Sequence, residues 1–266
     1  MNKANFQVDL TKCNGCGICL NVCPGNMVGG DVLRLKDDHV EINEDVTFSW
    51  KGCWRCEHCL AACPKEAISI LGLTAKDVPI KPNPIIKDEL PKLISYRRSC
   101  RSFKDENVNE KIIDEMMETL SNVPTGGNNH RLEYSVIYDK KVMVKIHDIL
   151  FPQLKLFDDK KDLLELRLYS APHLFIAHKD VGDYFKDGDL LEMGLATAYF
   201  ELLANSYGLG TIISTYAAEL LTKSKEVREI LNIPSDHRFL SVVGFGYPKI
   251  NYARGIKKNK RVYKIK

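Results

Sequence analysis

No apolar run in this 266-residue chain approaches the roughly 20 residues that a membrane-crossing helix needs, so a helical membrane protein is excluded. The opening MNKANFQVDLTKC has no apolar h-region and no small-residue cleavage site, which makes a cytoplasmic location the expectation. Charge of one sign is missing as well. Thirty-eight basic against thirty-five acidic residues leave a formal charge of +3, too slight and too evenly spread for a phosphate-backbone track. Neither nucleic acid nor a membrane is an expected partner. The chain also lacks G-x-G-x-x-G. Gly208-Leu209-Gly210 follows a helical stretch where the dinucleotide fingerprint needs a strand, and it reads instead as a helix C-terminus. With 44% hydrophobic and 27% charged residues, the composition is that of an ordinary globular protein long enough for one large domain or two modest ones.

Cysteine, by contrast, is plentiful, and eight of the nine fall into two matching sets. Cys13, Cys16, Cys19 and Cys23 precede Pro24; Cys53, Cys56, Cys59 and Cys63 precede Pro64. Each set reads C-x2-C-x2-C-x3-C-P, the run found in bacterial ferredoxins. A disulfide scaffold of this density belongs to secreted chains, and the opening carries no export signal. Structural zinc also uses C-x2-C pairs, but it needs four ligands and has no use for a third cysteine two residues further on, twice over. Three thiolates so spaced on a tight loop reach three corners of one iron–sulfur cube, while the fourth points away and serves the other. The spacing therefore predicts two 4Fe-4S clusters, one on Cys13, Cys16, Cys19 and Cys63, the other on Cys53, Cys56, Cys59 and Cys23. Gly15 and Gly17 let backbone N–H groups approach the cluster sulfurs, which raises the reduction potential. Asn14 and Trp54 hold equivalent places in the two loops; Trp54 either tunes its cube or simply packs.

The two sets form an internal repeat offset by forty residues, Cys53 answering Cys13. Between them, residues 32–50 alternate enough to predict a short hairpin insertion. A ferredoxin-type module over residues 1–72 is expected, then a linker over 73–90. Pro79, Pro82 and Pro84, with Pro91 close behind, oppose a continuous helix or a central strand there.

From residue 91 to 266 helical and strand patterns alternate, which predicts a second, α+β domain. Ile112, Ile113, Met116, Met117 and Leu120 keep helical spacing with acids on the other face. LEYSVIY (132–138), HLFIAH (173–178) and FLSVVGF (239–245) read as strands. Residues 189–208 form a helix apolar nearly all the way round, which predicts burial on every side and, most easily, a homodimer. His147, His173 and His178 lie in apolar or helical contexts and read as structural.

Two polar segments stand out in this half. RRSCRSF (97–103) groups Arg97, Arg98 and Arg101 around Ser99, guanidinium forks and a hydroxyl suited to a phosphate dianion. PTGGNNHR (124–131) places Gly126 and Gly127, which permit close backbone approach, before Asn128, both donor and acceptor. Separately these also suit exposed arginines and a plain helix-to-strand turn. Together with the Gly-Leu-Gly after the long helix and the late Gly246-Tyr247-Pro248 with basic residues behind it, they stand in the order seen in the nitroreductase family. The chain from Leu90 onward resembles that family, and its front part resembles the members with an N-terminal 4Fe-4S extension.

The resemblance implies a ferredoxin-like 2x4Fe-4S module followed by a nitroreductase-type α/β sandwich, a mixed sheet flanked by helices, with FMN at a dimer interface. It implies that Arg97, Arg98, Ser99 and Arg101 hold the ribityl phosphate and polar chain. Pro124, Thr125, Gly126, Gly127 and Asn128 would line the isoalloxazine, and His130 would reach the partner subunit's cofactor. Ser214 and Thr215 would lie beside the flavin's reactive edge, with Arg254 and Lys258 closing the phosphate pocket. Thr125 replaces the family's serine, and His130, Arg131 and Leu132 replace its Gln-Pro-Trp, which unsettles any borrowed substrate specificity. Cys100 fills the variable position of the arginine run and reads as buried and inert.

The expected activity is FMN-dependent reduction. An external donor, either reduced ferredoxin or NAD(P)H, would supply electrons through both clusters to FMN and on to a small conjugated acceptor such as a nitroaromatic, quinone or activated alkene. FMN N5 would be the reactive atom, and no side chain stands out as a catalytic acid. Two alternatives stay open: a flavin and iron–sulfur relay or redox sensor acting on a protein partner, and a specialised member that fragments or dehalogenates its substrate.

Overall fold

The computed structural model describes residues 4–43, 47–80, 86–152, 168–180, 186–250 and 252–255. Contacts within the chain divide it into two compact units, Met1–Asn83 with Gly126–Asn129, and Pro84–Thr125 with His130–Lys266.

In the first unit β1 (Gln7–Val8) is followed by the short helices α1 (Ile18–Asn21) and α2 (Pro24–Met27), a hairpin of β2 (Leu33–Lys36) and β3 (His39–Ile42), then α3 (His58–Ala62) and β4 (Ile68–Ser69). Pro24 opens α2, where its missing N–H costs nothing. The expected hairpin is present, paired from Leu33↔Ile42 to Lys36↔His39. Its two turn residues, Asp37 and Asp38, both take positive φ (46° and 62°), the conformation that matches a two-residue turn to strand twist. Asn26 fastens the hairpin: its Oδ1 accepts from the N–H groups of Val32 and Leu33 at 2.9 and 3.0 Å, and its Nδ2 donates to the Leu33 carbonyl at 2.8 Å. β1 and β4 pair antiparallel and close the module. Its core is small, built from Val32, Leu33, Val40, Leu60, Ile68 and Ile70 together with cysteines.

The second unit begins with α4 (Ile86–Tyr96), which starts before Pro91 and carries it inside. The helix loses one backbone hydrogen bond there and continues, so part of the expected linker is helical; Pro82 and Pro84 lie outside the described residues. Then come α5 (Glu110–Leu120), β5 (Glu133–Ile137), α6 (Lys140–Leu150), β6 (His173–Asp180), α7 (Lys186–Ser206), β7 (Gly210–Ile213), α8 (Thr215–Lys223), α9 (Lys225–Leu231) and β8 (His237–Gly246). Asn109 and Asp139 cap α5 and α6 by accepting from the N–H groups of Lys111 and Lys141. The strands pair antiparallel in the order β5-β6-β8-β7, and an isolated parallel bridge joins Ser99 to Thr211 of β7.

Strand alternation sends side chains to two faces, and each face has its own core. Ile137, Leu174, Ile176, Phe239 and Val242 pack with Met143 and Ile146 of α6, Leu221 of α8 and Val227 of α9. Phe175, Ala177, Val243 and Phe245 pack on the opposite face with Met116 and Leu120 of α5 and with Ala196, Phe200 and Ala204 of α7. This is a sheet between two helical layers. α7 departs from the expectation of burial on every side: its Ala196–Phe200–Ala204 stripe is fully buried, while Leu190, Leu191 and Tyr199 are exposed in the single chain, because one sheet face covers only one side of a helix.

Phe200 stacks on Phe175 with ring centroids 4.1 Å apart and meets Phe245 edge-on at 5.2 Å. Phe200→Ala is expected to destabilise the second unit by about 3–5 kcal/mol, read as the shift of its urea midpoint by circular dichroism. His173 is fully buried, its Nδ1 lying 2.8 Å from the Tyr138 carbonyl and its Nε2 accepting the Val108 N–H at 3.0 Å. Only a neutral ring with its proton on Nδ1 satisfies both, and burial holds the ring below its usual value of 6.5. The folded state therefore binds fewer protons here than the unfolded one. The stabilisation is complete above about pH 6.5 and is lost as pH falls through the lowered folded value. Stability against pH between about 7 and 5 is expected to slope less steeply in His173→Gln, which keeps an acceptor for Val108, than in the parent; equal slopes would show that this ring is not the titrating group.

Candidate functional site

The first unit gathers its cysteines into two quartets. Cys13, Cys16, Cys19 and Cys63 line one cavity, with Leu35, Val40 and Ile68 as apolar wall. Cys23, Cys53, Cys56 and Cys59 line a second, walled by Phe6, Val32, Leu33 and Ile70. The crossing of the fourth cysteine in each run to the other quartet follows from the packing of α1 against α3, which carry Cys19 and Cys59. Backbone N–H groups point at the sulfurs: Ala67 donates to Cys63 Sγ at 3.3 Å, and the N–H groups of Leu20, Arg55, His58 and Leu60 reach Cys19, Cys53, Cys56 and Cys59. Burial nevertheless dominates and pushes the thiols of Cys19, Cys53, Cys56 and Cys59 up, Cys59 to about 12. Bound cations are what would draw off those protons and turn thiols into thiolate ligands. Four convergent sulfurs, apolar walls and N–H donors in each cavity suit iron–sulfur cubes.

The internal repeat extends to the backbone. Gly15 and Gly17 take φ 65° and 71°, and the residues forty positions on, Arg55 and Glu57, take φ 51° and 57°. The loop shape is thus kept even where side chains make it costly. Glycine at 15 has a further cause in the hairpin, since a Cβ there would lie 2.6 Å from the Asp38 carbonyl oxygen. Arg55 instead has room to lay its guanidinium over the Phe48 ring, 3.3 Å from the centroid. Trp54 both lines the second quartet's cavity and packs, with its Nε1 donating to the Trp50 carbonyl at 2.9 Å. Gly15→Ala is expected to remove about half the bound iron per chain while the Cys53 loop keeps its share; unchanged iron and sulfide on anaerobic assay would sink this reading of the loop.

In the second unit β7 organises the residues expected to hold a phosphate. Ser99 bridges Thr211, and the Cys100 N–H donates to the Thr211 carbonyl at 2.7 Å, so the arginine run lies along the start of β7. Arg97 is engaged: its Nη1 pairs with Glu201 Oε1 at 3.0 Å, and the Thr211 hydroxyl donates to the same oxygen at 3.0 Å. Arg98 donates to the carbonyls of Arg97 and Ser95, and the exposed Arg101 stands 5.9 Å from the Tyr169 ring. The 252–255 segment comes to the same place. Tyr96 donates to the Tyr252 carbonyl at 2.8 Å, and a Cβ on Gly255 would lie 2.9 Å from the Ser95 carbonyl oxygen, which puts Arg254 beside the arginine run. Lys258 lies outside the described residues.

At the other end of β7, about 10 Å along the strand, Ser214 is buried and caps α8, accepting the Ala217 N–H at 3.1 Å. Its hydroxyl has a structural task, whereas Thr215 opens the helix and is exposed. The 124–130 loop is divided between the units. Pro124, Thr125 and His130 belong to the second, where the Thr125 hydroxyl accepts the His130 N–H at 3.2 Å. Gly126, Gly127 and Asn128 belong to the first, where the Asn128 amide donates to the Trp54 and Arg55 carbonyls at 3.0 and 3.1 Å. Arg131 is not an idle substitute: it pairs with Asp180, its Nε donating at 2.9 Å. Cys100 is buried, donates to the Ser102 carbonyl at 3.3 Å and has its thiol pushed up by burial, as suits an inert residue. Glu201 was invisible as a site residue by spacing alone; an acid within the apolar stretch that follows Glu192 on α7 was the available signal.

A sheet between helical layers with a basic run laid on one strand, in a chain that also carries a module with two cysteine quartets, is the arrangement of an α+β oxidoreductase with an iron–sulfur extension. Residues 94–247 match the nitroreductase family model, and residues 12–67 match a 4Fe-4S dicluster domain. The chain belongs to the nitroreductase family and is an oxidoreductase. A protein of Archaeoglobus fulgidus described as a NADH dehydrogenase/NAD(P)H nitroreductase is 27% identical over 164 residues, 61% of this chain and 87% of the relative. Rat iodotyrosine deiodinase 1 is 24% identical over 235 residues, 81% of this chain and 78% of the relative. A solved FMN-bound nitroreductase from Desulfitobacterium hafniense shares the fold, with a TM-score of 0.56 at 20% identity, over 67% of this chain and 98% of that one. An FMN-dependent nitroreductase from Clostridium difficile superposes with a TM-score of 0.52 at 20% identity, over 67% and 100%. No helix among the described residues is long and apolar enough to cross a membrane.

Proposed function

We propose that this chain takes single electrons from an external donor into two 4Fe-4S clusters and delivers them, through bound FMN, to a small conjugated acceptor. The observation that carries this is the sorting of the eight cysteines into two four-sulfur cavities, Cys13, Cys16, Cys19 and Cys63 in one and Cys23, Cys53, Cys56 and Cys59 in the other. Bound FMN would supply two-electron hydride chemistry at N5, and the clusters one-electron steps, so that a pair of cubes matches one hydride equivalent. Arg98, Arg101 and Arg254 supply the positive charge for the FMN phosphate, with Lys258 beyond the described residues, while Ser99 adds a hydroxyl and Arg97 is held in place by Glu201. Thr215, with Ser214 shaping the turn beneath it, faces the reactive edge. Pro124, Thr125 and His130 of the second unit would line the ring. The domain division we favour is a cluster module over 1–72, a connecting stretch over 73–90 and an FMN domain over 91–266. The relatives described as NAD(P)H nitroreductases support NAD(P)H as one donor, and the cluster module supports reduced ferredoxin as the other.

A second reading has its own support, because a relative matched over most of this chain is an iodotyrosine deiodinase. Reductive removal of halide from an aromatic ring would use the same flavin site. The test is anaerobic purification with counts of iron, sulfide and flavin, then mixing of the reduced protein with nitroaromatics, quinones, enones and halophenols. About eight irons and one FMN per chain, with fast reoxidation by one acceptor class, is the expected result. Halide release would select the second reading. Uniformly slow reoxidation by every small molecule would turn the reading toward a relay to a protein partner. A colourless protein, or one with iron and no FMN, would remove both.

The exposed side chains Leu190, Leu191 and Tyr199 of α7 support a homodimer that buries them. Leu191→Asp is expected to yield a monomer by light scattering with at least about tenfold weaker FMN retention; an intact FMN-loaded dimer would place the interface elsewhere.

A further inference from the structure

At the edge of the sheet, away from the arginine run, three adjacent strands bring two imidazoles and a carboxylate together. Glu133 of β5, His178 of β6 and His237 of β8 each offer a ligand atom, and these atoms lie within 4.8 Å of one another. Register explains how they share a face. Glu133 stands directly opposite His178, so their side chains project the same way. Between β6 and β8 the register shifts at Ala177/His178, after which His178 pairs with Phe239 and Asp180 with His237. Without that one-residue shift His178 would oppose residue 240, and His237 would project to the other face of the sheet. The bulge is what turns the second imidazole toward the first.

Both histidines are buried, and Glu133 is exposed at the mouth. Nδ1 of His178 faces Nδ1 of His237 at 2.9 Å, so in the neutral pair one ring donates to the other. Nε2 of His178 lies 2.9 Å from the Ser135 hydroxyl. That is the outer hydrogen bond which orients a metal-ligating imidazole and sets its tautomer, leaving Nδ1 as the ligand atom. Two nitrogens on one tetrahedral zinc sit about 3.3 Å apart at Zn–N of about 2.05 Å. The rings therefore need to part by about 0.4 Å, which side-chain torsion supplies. The neighbouring cations are otherwise engaged: Arg131 pairs with Asp180, and Arg228 donates to the carbonyls of Thr222 and Pro234 while lying 4.8 Å over the Phe239 ring.

We propose that Glu133, His178 and His237 form a site for a borderline divalent cation, zinc above all, that clamps β5, β6 and β8 and keeps one coordination position open toward solvent. Two imidazoles and a carboxylate are the donor set such ions favour, and binding moves the proton shared by the histidines to the far nitrogen of its own ring, with no net proton released by the neutral pair. The site is separate from the cysteine quartets and from the residues assigned to FMN, so it stands or falls independently of the proposed reaction.

The test uses the anaerobically purified full chain with its iron content measured, dialysed against micromolar zinc alone. One zinc per chain beyond iron is expected, with nitrogen and oxygen but no sulfur neighbours in zinc-edge X-ray absorption. Glu133→Gln is exposed and safe for folding, and it should weaken that zinc by at least about tenfold with iron and flavin contents unchanged. His237→Gln should abolish it. No retained zinc, equal zinc in the parent and Glu133→Gln, or a sulfur shell at the zinc edge would each overturn the proposal; the last would assign the ion to the cysteines.

Discussion

Eight thiols held in two apolar cavities set the terms for the first unit. Their burial disfavours the thiolate, most strongly at Cys59, and the small hydrophobic core around them is too slight to dominate the folding of such a module. The strained loop residues tell the same story. Arg55 and Glu57 adopt a left-handed backbone that costs roughly 1–3 kcal/mol each, and that cost is tolerable where coordination bonds depend on the loop shape. Ligation of metal by these thiols would therefore be coupled to the folding of the first unit.

The second unit rests on a different constraint, the alternation of its four paired strands. Every second residue faces α5 and α7 and the rest face α6, α8 and α9, which gives two independent cores on one sheet. β7 lies at one edge of that sheet, and an edge strand has hydrogen-bonding capacity to offer. It uses that capacity to bind the Ser99–Cys100 backbone, and so carries the arginine run on a rigid element rather than on a loop. The opposite edge, β5, exposes Glu133, and the bulge on the β6–β8 ladder determines which side chains meet it. Both candidate sites of this unit are thus consequences of sheet edges and register.

Several features were legible from residue order because each depends on local chemistry. The cysteine spacing, a hairpin within 32–50, the helical spacing over 112–120 and the three longer strands all stood out in short windows. β7 did not: Gly210–Ile213 is four residues long, begins with a glycine and has no room to display a period of two. Nor did the pairing of Arg97 with Glu201, 104 residues apart, or the division of the 124–130 loop between units. α7 misled in an instructive way, since uniform apolarity spoke of burial on every side while the chain alone covers only one.

By itself the sequence determined the chemistry available: which sulfurs exist, how they are spaced, where guanidinium groups cluster and which segments repeat. Those properties are carried by neighbours along the chain, where bond geometry limits the outcomes. Only the tertiary structure decided which arginine is already engaged by a carboxylate, how the 124–130 loop is divided and which face His237 presents. Each of those depends on contacts between residues far apart in order, and a single inserted residue in one ladder is enough to reverse the last of them.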